Sequence, residues 1–429
     1  MSELIVHGAR PLRGEVRLPG DKSISHRALL FAAMAQGESR LRNLGAGADV
    51  RSTMTVLRAL GVAIEAHGDE VVVSGRGLDG FGEPHEVLDT GNSGTTTRLL
   101  LGLLAGRPFH AVLSGDESLN QRPMRRVVAP LRTLGARIDG RDDGEHLPLA
   151  IRGGALRAQR VDLQVASAQV KSALILAGLQ ADGITQIREL LATRDHTERM
   201  LQALGAPVRV EGDAIVVERG APEPFDLDVP GDPSSAAFFV AAACVAPQSE
   251  VACVDVACNP GRIAFVDVLQ RMGGDVSVEI TGARCGEPVG TIRARTSQLH
   301  GTEVHGAEVP ALIDEIPILA LTAAFADGVT EFRDAAELRV KESDRVATVA
   351  AALSAFGVGT EPRPDGLSVR GGAPRPGRVQ SAGDHRIAMA AASVAGAMEG
   401  ETVIEGADAA AVSYPGFAAD FERLAEGAS

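Results

Sequence analysis

The chain has 429 residues, 45% apolar and 23% charged, which excludes dominant disorder and, at roughly 100–200 residues per domain, predicts two to four domains. A net charge of −14 and 3% aromatic content, with no Trp and one Tyr, argue against a nucleic-acid surface. No apolar run reaches about 18 residues, so a membrane span is not expected. The opening Met1-Ser2-Glu3-Leu4-Ile5-Val6-His7-Gly8 has no basic segment ahead of an apolar core, so no export signal is expected either. Cys244, Cys253, Cys258 and Cys285 lack CxxC spacing; they fit neither a zinc site nor a disulfide framework, and a reducing cytoplasm with no metal is the expectation.

Taken in chain order, the first helical pattern opens at Lys22-Ser23 after the turn Leu18-Pro19-Gly20-Asp21 and runs into Ala28-Leu29-Leu30-Phe31-Ala32-Ala33. Similar polar openings recur at Asn92-Ser93-Gly94-Thr95, Ser167-Ala168-Gln169, Ser234-Ser235, Asp314-Glu315 and Asp384-His385-Arg386. Ser, Asn and Asp cap helix N-termini, and six ordinary caps is the plain explanation. The functional alternative is that several partly positive N-termini face one anionic ligand.

Between these openings, five amphipathic segments close on Leu-x-x-(Leu/Met/Phe)-Gly: Leu57–Gly61, Leu131–Gly135, Leu201–Gly205, Leu269–Gly273 and Leu353–Gly357. Glycine there suits a left-handed helix end. Strand-like runs follow, such as Val71-Val72-Val73-Ser74-Gly75 and Ala214-Ile215-Val216-Val217. A weaker sixth copy, Phe421–Gly427, ends the chain, and the N-terminal residues 3–8 are expected to supply its missing strands. Leu18-Pro19-Gly20-Asp21-Lys22-Ser23 is echoed 211 residues later by Val229-Pro230-Gly231-Asp232-Pro233-Ser234. Pro-Gly marks a crossover. The expectation is therefore an α/β chain of two similar domains with three repeats each, 20–229 and 230–429 completed by 1–19.

Of the 42 basic residues only Lys22, Lys171 and Lys341 are lysines. A compact ammonium and a planar guanidinium are not interchangeable, so at least two of the three are expected to be functional; chance retention is the alternative. Lys22, Ser23 and Arg27 at a helix start suit a phosphate or carboxylate. Asp21 interrupts the P-loop spacing, which disfavours a nucleoside triphosphate. Arg122 is a second candidate clamp. The cluster Arg339-Val340-Lys341-Glu342-Ser343-Asp344-Arg345, taken alone, reads first as a solvated charged helix start. Asp314-Glu315 stands inside the apolar stretch 309–326 and is either a cap or a catalytic carboxylate; His385 carries the same ambiguity.

Five of these motifs, Leu18 through Arg27, Gly91 through Thr96, Arg122-Pro123-Met124, Lys341 through Arg345 and Gly383 through Arg386, together resemble the EPSP synthase family from about residue 14 to 417. The resemblance implies two domains of three βαβαββ-type units, enolpyruvyltransferase-like, with the active site in the interdomain cleft. It implies transfer of the enolpyruvyl group of phosphoenolpyruvate to the 5-hydroxyl of shikimate 3-phosphate, in the route to chorismate and the aromatic amino acids. No cofactor or metal is implied; the partners are the small anionic substrates, without nucleic acid or membrane, and a cytoplasmic monomer is expected.

Carried over by motif, Lys22, Ser23, Arg27, Ser167, Gln169, Arg194, Asp314 and Lys341 would bind shikimate 3-phosphate. Lys22, Gly94, Arg122, Gln169, Arg345 and Arg386 would hold phosphoenolpyruvate. Asp314 would take the hydroxyl proton, and Glu342 with Lys341, beside Lys22, would manage proton delivery to the methylene carbon. Two departures stand out: Ala168 replaces a second serine of Ser-Ser-Gln, and Val412 stands where many members have lysine. The alternatives are the related UDP-N-acetylglucosamine enolpyruvyltransferase, expected to carry a first-half cysteine that this chain lacks, and a non-catalytic anion-binding protein.

Overall fold

The computed structural model describes residues 2–427, and it divides into two units. One comprises Gly20–Val229 together with Ala283–Glu287; the other comprises the residues up to Pro19, Pro230–Gly282 and the residues from Pro288 on. The expected boundaries did not separate 283–287 from the second half; in the structure this hairpin tip groups with the first. Residues 1, 428 and 429 of the expected domains lie outside the described residues.

Among the described residues, twelve helices of seven residues or more follow one another: α1 Lys22–Met34, α2 Ala48–Ala59, α3 Gly94–Leu104, α4 Arg125–Thr133, α5 Ala168–Gly178, α6 His196–Ala203, α7 Pro233–Val245, α8 Ala264–Arg271, α9 Ile316–Thr322, α10 Arg345–Ala355, α11 His385–Ala395 and α12 Phe417–Glu426. The odd-numbered helices are apolar all round and almost wholly buried, as a helix without a polar face must be. The even-numbered ones are amphipathic: α2 buries Val50, Thr53, Val56 and Leu57 and exposes the opposite face.

Six sheets accompany them, and five share one strand order. In the first, Gln36–Arg42 pairs in parallel with Asp226–Asp228 and antiparallel with Glu70–Arg76, which pairs in turn with Ala63–His67. The parallel strand comes from the far end of the same unit, so the first repeat is completed by the last residues of Gly20–Val229. The other unit repeats the device: Arg13–Arg17, from the N-terminus, pairs in parallel with Glu250–Ala257. The sixth sheet has three strands, with Glu3–His7 antiparallel to Glu401–Glu405 and Arg378–Gln380 parallel to it. The N-terminus thus contributes one strand to the last repeat, and no fourth is present among the described residues.

The helix ends follow the sequence closely. Gly61, Gly135, Gly205, Gly273 and Gly357 all have φ between +72° and +111°, the left-handed region where a side chain would be strained. Around three of them a side chain reaches back across the turn: Arg58 and Arg132 donate to the carbonyls of Ile64 and Ile138, and Gln270 to that of Val276. The six N-termini are less uniform. Asp21, Ser93, Ser167, Asp232 and Asp384 accept from backbone N–H groups, each bond worth about 1 kcal/mol. The fourth cap is Asp232, with Pro233 in the first turn, rather than the expected Ser234-Ser235. Glu315 occupies the cap position of α9 without a capping bond.

Candidate functional site

In the first unit the N-termini of α1, α3 and α5 are tied together by side chains. Asp21 accepts from Ile24 N at 2.7 Å, which places Lys22 and Ser23 in the first turn of α1. Lys22 Nζ lies 3.2 Å from Asp49 Oδ2 on α2. A buried chain of hydroxyls then joins α1 to α3: His26 Nδ1 to Thr53 Oγ1, Thr53 Oγ1 to Thr96 Oγ1, and Thr96 Oγ1 to Ser93 Oγ, each at 2.7 Å. Burial pushes His26 down to about 3, with Asp49 opposing and Lys22 and Arg27 adding to the fall. This imidazole is therefore neutral and structural.

Gly94 opens α3, and a methyl group built there would meet Arg98 Nη1 at 2.8 Å and Arg122 Nη1 at 3.7 Å. The missing side chain lets the Arg98 guanidinium lie close against this helix end, with that of Arg122 beside it. Arg98 also donates to Gln169 Oε1 at 2.6 Å, and Gln169 Nε2 to Thr95 Oγ1 at 2.9 Å, joining α3 to α5. Arg122 donates to Asn92 Oδ1. Arg27 is buried; its Nε donates to Thr197 Oγ1 (2.7 Å), Nη2 to Ser172 Oγ (2.8 Å) and Nη1 to the Ser23 carbonyl (3.0 Å). Arg194 lies in the turn 189–195, next to Thr193, whose carbonyl accepts from Lys171. Ser167 is the α5 cap, accepting from Val170 N at 3.4 Å. The structure thus links Lys22, Ser23, Arg27, Gly94, Arg122 and Gln169 through shared partners at one end of the unit.

Lys171 is different. It is buried between Glu198 (2.7 Å) and Glu189 (2.9 Å). Burial raises the Glu198 pKa and Lys171 opposes that rise. This lysine belongs to an internal ion-pair cluster, its ammonium buried between two carboxylates.

In the second unit a second cluster forms around Asp314. Three cations lie within 4.0 Å of its carboxylate: Arg345 Nη1 at 3.4 Å, Lys341 Nζ at 3.7 Å and Arg386 Nη2 at 4.0 Å. Its backbone carbonyl accepts from Arg386 at 2.9 Å. Asp314 sits in the break between a short turn of helix, Val309–Leu312, and α9, and caps neither. Arg345 is fully buried, against the solvated reading of its motif. Its Nε donates to Asp384 (2.8 Å) and Nη2 to Glu342 (2.7 Å). Burial works against its charge, but Glu342, Asp384 and Asp314 outweigh that and hold its pKa above the usual guanidinium value. The same pairing overcomes burial at Asp384 and lowers its pKa. Asp344 caps α10 from its own motif. Ser234 Oγ donates to Glu315, which faces Arg386 at 3.6 Å, so α7, α9 and α11 also meet at their N-termini.

A family model described as EPSP synthase (3-phosphoshikimate 1-carboxyvinyltransferase) matches residues 6–421. The chain belongs to this family. It is 49% identical over 418 residues to the 3-phosphoshikimate 1-carboxyvinyltransferase of Bacillus licheniformis, covering 97% of this chain and 98% of that one. It is 53% identical over 416 residues to the protein of the same name from Thermus thermophilus, covering 96% and 97%. The solved EPSP synthase of Acinetobacter baumannii superposes with a TM-score of 0.88 at 39% identity, over 98% of both chains. Family membership supports the first of the three functional readings over the UDP-N-acetylglucosamine enzyme and the non-catalytic protein.

Residues that sequence reasoning missed are those acting behind the first line. Arg98 carried a visible signal, a lone charge in the apolar helix after Gly94. Asp49, Thr197 and Ser172 carried little or none, because ordinary helix positions can host them. Among the described residues no helix is long and apolar enough to cross a membrane, and no three His, Cys, Asp or Glu side chains group to hold a metal ion.

Proposed function

We propose that the chain transfers the enolpyruvyl group of phosphoenolpyruvate to the 5-hydroxyl of shikimate 3-phosphate, with release of inorganic phosphate. The observation that carries the catalytic part is Asp314, a carboxylate that caps no helix and stands among Lys341, Arg345 and Arg386. A protein that only bound anions would gain nothing from an acid there, since it repels them. In the reaction the hydroxyl oxygen bonds to C2 of phosphoenolpyruvate while its proton is lost and the methylene carbon gains one. The C2–O bond to phosphate then breaks, and the methyl group returns a proton to regenerate the double bond.

Asp314 takes the hydroxyl proton; Lys341 and Glu342, adjacent in sequence, serve the carbon, with Lys22 beside the reacting groups. Shikimate 3-phosphate is bound by Lys22, Ser23, Arg27, Ser167, Gln169, Arg194, Asp314 and Lys341. Phosphoenolpyruvate is held by Lys22, Gly94, Arg122, Gln169, Arg345 and Arg386. Gln169, engaged by Arg98 and Thr95, and Gly94, set beside two guanidiniums, support that assignment. Local cations in a chain of net charge −14 fit ligands with several negative charges. The four cysteines are unpaired, which supports a reducing, cytoplasmic location, and the protein acts as a monomer.

The test is phosphate release from phosphoenolpyruvate. Release that requires shikimate 3-phosphate supports the proposal. Release driven instead by UDP-N-acetylglucosamine, or ligand binding without release, overturns it.

A further inference from the structure

We propose that Glu287 and His196 form a positioning pair that holds the Thr197 hydroxyl, and through it Arg27, in place for shikimate 3-phosphate; this rests on the functional reading above. Glu287 belongs to the hairpin tip Ala283–Glu287, which groups with the first unit. Its Oε1 lies 2.7 Å from His196 Nδ1, and both side chains are about 1% exposed. The Nε2 of His196 is buried with no hydrogen-bonding partner among the described residues. The single bond to Glu287 therefore orients the ring, and with it the first turn of α6.

That turn carries three buried polar side chains in succession, each with a different partner. His196 meets Glu287, Thr197 Oγ1 accepts from Arg27 Nε at 2.7 Å, and Glu198 pairs with Lys171 at 2.7 Å. Thr197 and Ser172 share a hydrogen bond of 2.6 Å, and Ser172 accepts from Arg27 Nη2 at 2.8 Å. One edge of the guanidinium, Nε with Nη2, is thus set by hydroxyls from α6 and α5. The tip packs tightly on α6: a methyl group at Gly286 would meet the Arg199 carbonyl oxygen at 2.6 Å. Losing Glu287 frees the histidine, lets the α6 start shift, and moves the hydroxyl that aims Arg27. A shift of this kind spoils hydrogen-bond geometry, which weakens steeply with angle.

The experiment measures shikimate 3-phosphate affinity by calorimetry, with KM for both substrates and kcat, in full-length Glu287→Ala, Glu287→Gln, Thr197→Val, the Glu287→Ala/Thr197→Val double variant and Arg27→Lys. Glu287→Ala and Thr197→Val should each weaken shikimate 3-phosphate binding about tenfold, as loss of a hydrogen bond to a charged group does. KM for phosphoenolpyruvate should stay within about twofold. Glu287→Gln keeps an acceptor for the histidine and should recover most of the affinity. The double variant should be no worse than Thr197→Val alone, because the pair acts through that hydroxyl.

Additive losses in the double variant, or equal losses of both substrates in Glu287→Ala, would show a general structural role and overturn the inference. If Glu287→Ala fails to fold, Glu287→Gln and Thr197→Val decide it: unchanged affinity in Thr197→Val overturns it. Arg27→Lys separates the two levels. Unchanged affinity there removes Arg27 from the site and overturns the underlying reading, whereas weakened affinity with an inert Thr197→Val overturns this inference alone.

Discussion

The two units repeat one topology, yet the corresponding helix ends have opposite chemical character. In the first unit the first two turns of α1 and α3 carry Lys22, Arg27 and Arg98, with Arg122 reaching Asn92 from the loop before α4, on a scaffold of neutral hydroxyls. In the second, the starts of α7, α9 and α11 gather Asp314, Glu315, Glu342 and Asp384 around Lys341, Arg345 and Arg386. The echoed turns show how small the change is. Asp21 and Asp232 both cap, but the first turn of α1 carries its own cation, Lys22, whereas that of α7 carries Pro233 and Ser234, and the cation beside it, Arg262, comes from outside the helix to donate to Asp232 and Ser234, each at 3.0 Å. The fold brings three helix N-termini together in each unit; the side chains at and just before those starts decide whether an end is mainly cationic or interleaves carboxylates with cations.

The sharpest way to break this contrast is Asp314→Asn. Asparagine keeps the shape and hydrogen-bonds a hydroxyl, but cannot take its proton. Turnover should fall about 10²- to 10⁴-fold, while shikimate 3-phosphate affinity changes far less. Steady-state rates beside calorimetry check this, and turnover within about threefold of wild type would remove Asp314 from the proton chemistry.

Arg345→Met tests whether the acid-rich end depends on its buried cation. Three carboxylates would lose a common partner, and breaking a buried pair this way costs about 3–5 kcal/mol. Urea unfolding measures it; a loss below about 1 kcal/mol, typical of an exposed pair, would mean that water replaces the guanidinium.

The cationic end has its own signature in His26. Its native pKa is depressed to about 3, so between pH 6.5 and about 3 the unfolded chain binds a proton that the native chain does not. Stability is fully present above about 6.5 and is lost as pH falls toward 3, about 3 kcal/mol of it by pH 4. His26→Asn should lack this component, so urea midpoints of the two proteins should converge or cross on acidification. Parallel midpoints from pH 7 to 4 would contradict the buried neutral histidine.

Lys22→Arg is the mildest test. Arginine keeps the charge beside Asp49 but not the compact ammonium, so KM for the substrates should rise about tenfold, roughly the worth of one hydrogen bond to a charged group, with the unfolding midpoint unchanged. Wild-type kinetics would show that this lysine survived by chance, as a purely electrostatic site would allow.

Much of this architecture is local and therefore readable along the chain. The closing glycines at 61, 135, 205, 273 and 357 all take the left-handed conformation, because a helix end is settled by the backbone freedom of one residue. The α/β repeats followed from that punctuation and from apolar runs too uniform for exposed helices. Motif residues such as Lys22, Gly94 and Arg345 stood out because five ordered motifs together resemble one family; each helix start taken alone reads as readily as an ordinary cap. Other choices were not local. Whether Asp314 capped a helix or faced three cations depended on Lys341 and Arg386, 27 and 72 residues away. The solvated appearance of Lys341 through Arg345 concealed a buried guanidinium whose partners come from other elements. Lys171 looked like Lys22 in sequence and differs only because Glu189 and Glu198 fold over it. The 283–287 tip groups with the other unit, where Glu287 meets His196 and Gly286 packs on the Arg199 carbonyl, partners about 90 residues away along the chain. Backbone conformation is decided within a few residues, but the energy of a buried charge depends on every charge and hydroxyl within a few ångströms, and only the tertiary structure assembles those.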